Sequence, residues 1–178
     1  MNTKTEIRKS IRILLKGMMP DQRIAESERI LRTLELNQHF QEAKVVMLYF
    51  SLSDEVCTHR FIQKWSRSKT ILLPDTKNHE ICLKHFTSLD DMEESEFHIN
   101  VPREAVNENQ NSIDLIIVPG MAFTGEGKRL GRGAGYYDRF LSRIDMRHIY
   151  RIGVCYPCQM VNEIPVESHD VLMNEVYY

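Results

Sequence analysis

The residues with the clearest capacity for chemistry lie between Arg129 and Phe140, in the run RLGRGAGYYDRF. Gly131, Gly133 and Gly135 take alternate positions, among Arg129, Arg132 and Arg139. Glycine reaches positive φ without a Cβ penalty and lets a ligand approach the backbone. Successive amides in such a turn point inward and form a nest for an anion, and a helix beginning just after it offers further N–H groups. Arg129 and Arg132 supply forked donors that match phosphate oxygens. Asp138 is the residue type that holds Mg²⁺, an ion that takes one or two carboxylates together with phosphate oxygens and water. The run therefore reads as a nucleotide-phosphate loop with a metal. It is neither the dinucleotide fingerprint nor the lysine-containing phosphate loop. The G-x-G-x-G pattern also suits a flexible surface turn, in which Tyr136 and Tyr137 would be packing residues. The residues alone name no reaction.

Such a loop needs a scaffold. The 178 residues are expected to form one domain, 1–178. Ile7, Ile11, Leu14 and Leu15 make one apolar stripe and predict a helix over residues 5–17. Its opposite side carries Lys4, Arg8 and Arg12 at four-residue spacing, a repulsive arrangement. That side is either a solvated face or one that an anion neutralises. Pro20 suits a helix start, and the pattern runs to about residue 36. Strands are expected at 43–51, at 69–74 with Pro74 as the stop, at 80–86, at 112–120, at 148–156 and at the terminal EVYY. Short helices are expected at 58–67 and 136–144. Residues 87–112 read as irregular, with a helical turn in TSLDDMEESEF. Alternating strands and helices predict an α/β fold with a mostly parallel central sheet. Ligands bind beyond the carboxyl ends of strands in such sheets, and the glycine–arginine run begins nine residues after the IIVPG strand ends at Gly120.

The formal net charge of −2 gives no global reason to expect nucleic-acid binding. No apolar run approaches the length of a membrane span, and the charged N-terminal stretch is not a secretory signal. A cytoplasmic protein is expected, with Cys57, Cys82, Cys155 and Cys158 as free thiols. Cys155 and Cys158 have C-x-x-C spacing, but no second pair completes a zinc site, and incidental spacing is the better reading than a redox pair. His39, His59, His79, His85 and His148 are scattered and read as surface or half-buried residues, and Trp65 reads as core.

The combination PGMAF…G-KRLGRGAGYYDRFL resembles the signature of the 5-formyltetrahydrofolate cyclo-ligase (methenyltetrahydrofolate synthetase) family. The similarity extends along the chain. Lys4-x-x-Ile7-Arg8 is similar to that family's opening K-x-x-L-R helix. YFSLSDEV supplies an acidic residue, Glu55, in a turn after a strand. CYPCQMVNEIPVESHD supplies Gln159, Pro165, His169 and Asp170.

The resemblance implies a three-layer, Rossmann-like α/β fold akin to sugar-phosphate isomerases and CoA transferases. It implies closure of 5-formyltetrahydrofolate to 5,10-methenyltetrahydrofolate, driven by ATP with Mg²⁺ and releasing ADP and phosphate. The residues it implies for ATP are Lys4, Arg8, Arg129, Leu130, Gly131, Arg132, Gly133, Ala134, Gly135, Tyr136 and Tyr137. Those it implies for the folate are Phe50, Glu55, Arg132, Gly133, Ala134, Gly135 and Tyr136. Arg132 and Tyr136 take the catalytic roles, and Asp138 and Asp170 the metal. The partners are then ATP and a folate, with no nucleic acid or membrane, and the enzyme is expected to be a monomer. Ala134, Asn174 and His98 depart from the family's usual residues. The segment FHINVPRE, which holds His98, is expected to close over the folate.

Overall fold

The computed structural model describes residues 3–77, 80–95, 99–103, 113–143, 146, 148–165, 167 and 170–178. His79, His98 and His169 lie outside them. Thr3 caps the first helix, α1 (Lys4–Gly17), through a capping box with Glu6, and Pro20 opens α2 (Pro20–Glu35) at its first turn. Asn37 then caps a five-residue helix, α3 (Gln38–Glu42), which is too short for a periodicity signal. Next come β1 (Val45–Met47), α4 (His59–Trp65), β2 (Thr70–Lys77) and β3 (Glu80–His85). A short ribbon follows, β4 (Met92–Glu94) with β5 (Asn100–Pro102), and then β6 (Leu115–Pro119). A tight hairpin, β7 (Ala122–Phe123) with β8 (Arg129–Leu130), leads into α5 (Tyr136–Ser142), β9 (Tyr150–Val154) and β10 (Glu175–Tyr177).

The main sheet has six strands in the order β10-β9-β6-β1-β2-β3. Every neighbouring pair is parallel except β2 with β3. Side chains alternate across it as the pleat requires. Val46, Ile71, Leu73, Leu115, Ile117 and Ile152 pack on one face with α1 to α4. Met47, Leu72, Ile116 and Val118 pack on the other with Phe140 and Leu141 of α5. The result is the expected three-layer α/β fold.

Two sequence expectations change. Pro74 does not end β2, which runs on to Lys77. β1 pairs with β2 only from Thr70 to Leu72, so from Leu73 onward one side of β2 is open and an absent N–H is tolerated there. The region 87–112 contains the expected turn, at Leu89–Asp91, but also the β4–β5 ribbon. Trp65 packs edge-on against Phe40, 4.9 Å between ring centres, in keeping with a core role.

Candidate active site

The carboxyl ends of the parallel strands carry the loops around a cavity of about 400 Å³. One wall is the segment after β1. Phe50 stacks on His59 with ring centres 3.9 Å apart, and the His59 Nε2–H donates to the Ser51 carbonyl at 3.0 Å. Ser51 and Thr58 bond reciprocally, amide to hydroxyl, at 3.0–3.2 Å. Tyr156 donates to the Glu55 carbonyl at 2.8 Å, and Arg23 donates to the Ser53 carbonyl. This network holds the Glu55 carboxylate in place, with one oxygen accepting from the Leu52 amide at 2.9 Å.

The opposite wall is the glycine–arginine run. Gly133 and Gly135 have φ of +121° and +71°, whereas Gly131 does not take positive φ. Gly135 is the left-handed residue that starts α5. Gln159, 1 % exposed, ties this region down by donating to the carbonyls of Gly120 at 2.8 Å and Met121 at 3.1 Å.

Arg129 is not an open phosphate donor. Its side chain is 4 % exposed and donates to the Pro119 carbonyl at 3.0 Å and to Asp138 at 2.7 Å. Its guanidinium also lies over the Tyr137 ring, 5.4 Å from the centre. Arg132 reaches across to the facing wall. It meets Glu55 at 2.9 Å and 3.1 Å, and Asp54 through both terminal nitrogens at 2.5 Å and 3.1 Å. Burial works against the Arg132 charge, but Asp54 and Glu55 outweigh it and raise its pKa further.

Phe50, Glu55, Arg129, Gly131, Arg132, Ala134, Gly135, Tyr136, Tyr137 and Asp138 all border the cavity. Lys4 and Arg8, one helical turn apart on α1, are not lining residues of the cavity. Arg8 donates to the Gly131 carbonyl at 2.8 Å. Lys4 pairs with Asp170 at 3.1 Å and Glu167 at 3.0 Å. Burial alone would lower the Lys4 pKa, and these two carboxylates raise it above the usual lysine value. Leu130 faces the core at 2 % exposure. Asp138 and Asp170 are thus each bonded to a different cation. Among the described residues no group of three or more metal-binding side chains converges.

Sequence reasoning missed several wall residues. Pro74 comes from the expected end of β2 and Thr76 from its unexpected extension, and Ser95, Ile99 and Val101 from the β4–β5 ribbon. The last two belong to the FHINVPRE segment, so it does border the cavity. His59 carries no sequence signal that would link it to Phe50. Cys155 and Cys158 stand apart from the cavity lining, each sulfur 3.7 Å from a methionine sulfur, of Met160 and Met18 respectively. Burial raises both thiol pKa values, which suits inert thiols.

Comparison with known proteins sets this geometry in a family. The profile described as the 5-formyltetrahydrofolate cyclo-ligase family matches residues 1–178. A 5-formyltetrahydrofolate cyclo-ligase of Haemophilus influenzae is 33 % identical over 180 residues, covering 97 % of this chain and 94 % of that protein. The mouse protein of the same name is 27 % identical over 190 residues, covering 99 % and 94 %. The solved structure of Aquifex aeolicus 5,10-methenyltetrahydrofolate synthetase superposes with a TM-score of 0.86 at 30 % identity, over 98 % of this chain and 88 % of that one. A Mycoplasma pneumoniae synthetase at 21 % identity, over 97 % of this chain and 96 % of that one, shares the fold with a TM-score of 0.77. With the family profile, the relatives and the fold in agreement, the chain belongs to the 5-formyltetrahydrofolate cyclo-ligase family and is an enzyme of the ligase class.

Proposed function

We propose that this enzyme closes 5-formyltetrahydrofolate to 5,10-methenyltetrahydrofolate in the cytoplasm, at the expense of ATP and with Mg²⁺. The observation that carries the reading is a single cavity whose two walls differ in chemistry. Phe50 and Glu55 suit a flat heterocycle with N–H groups, and the arginine-bearing glycine loop facing them suits phosphates.

The N5-formyl group is an amide, a poor electrophile with a poor leaving oxygen. Transfer of the γ-phosphoryl group to the formyl oxygen releases ADP and leaves an activated, iminium-like carbon. N10 attacks that carbon, the ring closes, and phosphate departs with loss of the N10 proton. The nucleophile toward phosphorus belongs to the substrate, so the protein positions the reactants and neutralises charge.

Arg132 is the cation for the transferring phosphoryl group, with Tyr136, the first residue of α5, bordering the same cavity. Arg8, bonded to the Gly131 carbonyl, and Lys4, one turn before it on α1, are the cations for the remaining phosphates. Asp138 and Asp170 are hard oxygen donors of the kind Mg²⁺ selects, and phosphate oxygens and water would complete the set. When bound, the ion neutralises phosphate charge. The carboxylates would then exchange or share the cations that now hold them, Arg129 and Lys4.

The test is direct. Purified protein is mixed with 5-formyltetrahydrofolate, Mg²⁺ and ATP, and the near-ultraviolet band of the methenyl product is followed. Growth of that band with ATP, and none without it, is expected. ATP binding without product would overturn the reading.

A further inference from the structure

We propose that the Tyr137 hydroxyl is a folate-reading group that donates to the lactam carbonyl of the pterin while Glu55 accepts from the N–H groups beside it. This deepens the reading above and rests on it. The family resemblance instead places Tyr137 with the nucleotide.

Two buried side-chain polar atoms have no hydrogen-bond partner among the described residues, Arg129 Nε and Tyr137 Oη. Both residues line the same cavity. A hydroxyl buried without a partner costs roughly 1–3 kcal/mol. Packing gives no return for it, because phenylalanine would fill the same space. The Tyr137 ring is already fixed by the Arg129 guanidinium over its face. What remains unmatched is the hydroxyl.

Its surroundings select the ligand group. Tyr49, a buried tyrosine on the facing wall of the same cavity, has its hydroxyl committed to the Val56 carbonyl at 3.1 Å. The Tyr137 hydroxyl is a phenol with a proton to give and no partner among the described residues. Glu55 has little left to offer a donor. One oxygen already accepts twice from Arg132 and the other once from Leu52. A carboxylate has about four acceptor positions, so roughly one remains until Arg132 lets go. A neutral donor and a carboxylate lining one cavity match a ring edge that alternates C=O with N–H. The pterin lactam is such an edge; a triphosphate has only acceptors and would gain nothing from Glu55.

The test is Tyr137→Phe, which deletes one oxygen. Wild-type protein must first make the methenyl product; failure there defeats the functional reading as a whole. Given a working wild type, Tyr137→Phe is expected to weaken 5-formyltetrahydrofolate binding about tenfold, by calorimetry without ATP and by KM, with KM for ATP within twofold of wild type. Its urea midpoint without ligand is expected to equal or exceed that of wild type, since an unmatched hydroxyl is gone. Unchanged folate binding, a rise confined to the ATP KM, or a lowered urea midpoint would each overturn the assignment, the last because it would reveal a partner within the protein.

Discussion

Arg132 has more claimants than it can satisfy once substrates arrive. Asp54 and Glu55 hold it now, and a transferring phosphoryl group would compete for the same nitrogens. Its side chain is 38 % exposed, so these pairs contribute little to the fold. Arg132→Ala is expected to reduce turnover by roughly 10³-fold and leave the urea midpoint within experimental scatter. Turnover within a few-fold of wild type would remove it from the mechanism. At this scale the sequence was legible in kind but not in engagement. Residue types marked Arg129 and Arg132 alike as phosphate donors. Only the fold separates them, one sealed against the Pro119 carbonyl and Asp138, the other reaching across to a turn more than seventy residues earlier in the chain. The Asp54 contact had no signal at all, because its partner is distant in sequence and nothing about a surface aspartate announces it.

Among the elements, the β7–β8 hairpin sets where the glycine–arginine run begins. Its turn needs Gly127 at φ +82°, where a Cβ would stand 2.3 Å from the Met173 carbonyl oxygen. The two backbones bond there, with the Met173 amide donating to the Gly127 carbonyl at 2.8 Å. Gly127→Ala would meet both a left-handed strain and a collision. A loss of roughly 2–4 kcal/mol is expected, read as a lowered urea midpoint. A change below about 0.5 kcal/mol would show that the turn relaxes freely. Elements with many apolar repeats, α1 and β6 among them, were readable from the chain. The short ones were not. α3 spans five residues and β7 and β8 two each, fewer than a period needs to declare itself. β2 outran its proline because the tolerance lay in a missing neighbour strand, which no local pattern records.

For the whole molecule, β10 closes the sheet, and a polar cluster fastens its start. Tyr150 donates to Glu175 at 2.6 Å, and Asn37 and Tyr177 add further bonds. His39 stacks on Tyr150 with ring centres 3.6 Å apart. The Tyr150 hydrogen bond chiefly lowers the Glu175 pKa, against the effect of burial, with Tyr177 and Asn37 assisting. A carboxyl lowered on folding stabilises above its ordinary pKa of 4.5 and loses that contribution as pH falls through the folded value. Glu175→Gln is therefore expected to be less stable than wild type at pH 6, with the gap narrowing toward pH 3 in paired urea titrations. A gap independent of pH would rule out the carboxylate as its source. Tyr150 has the opposite sense. The Glu175 bond, with burial, pushes its pKa up to about 12, so its contribution is complete below pH 10 and fades as pH rises toward about 12. The α/β class and the mostly parallel sheet were foreseeable from alternating patterns. The strand order was not, since periodicity is silent on which strands become neighbours.

That order also governs how the chain emerges during synthesis. α1 packs against the turn at Pro157–Gln159, and Met18, at its end, meets Cys158 across 140 residues. At about 5–20 residues per second, the ribosome takes roughly 7–30 s to deliver that partner. Throughout that interval α1, whose buried residues are Ile7, Ile11 and Leu15, lacks that partner. The same turn brings Gln159, which holds the Gly120 and Met121 carbonyls. A nascent chain would thus have its central strands β6, β1 and β2 before this turn arrives, and translation pauses ahead of residue 157 would lengthen the stay of an apolar helix awaiting its seat.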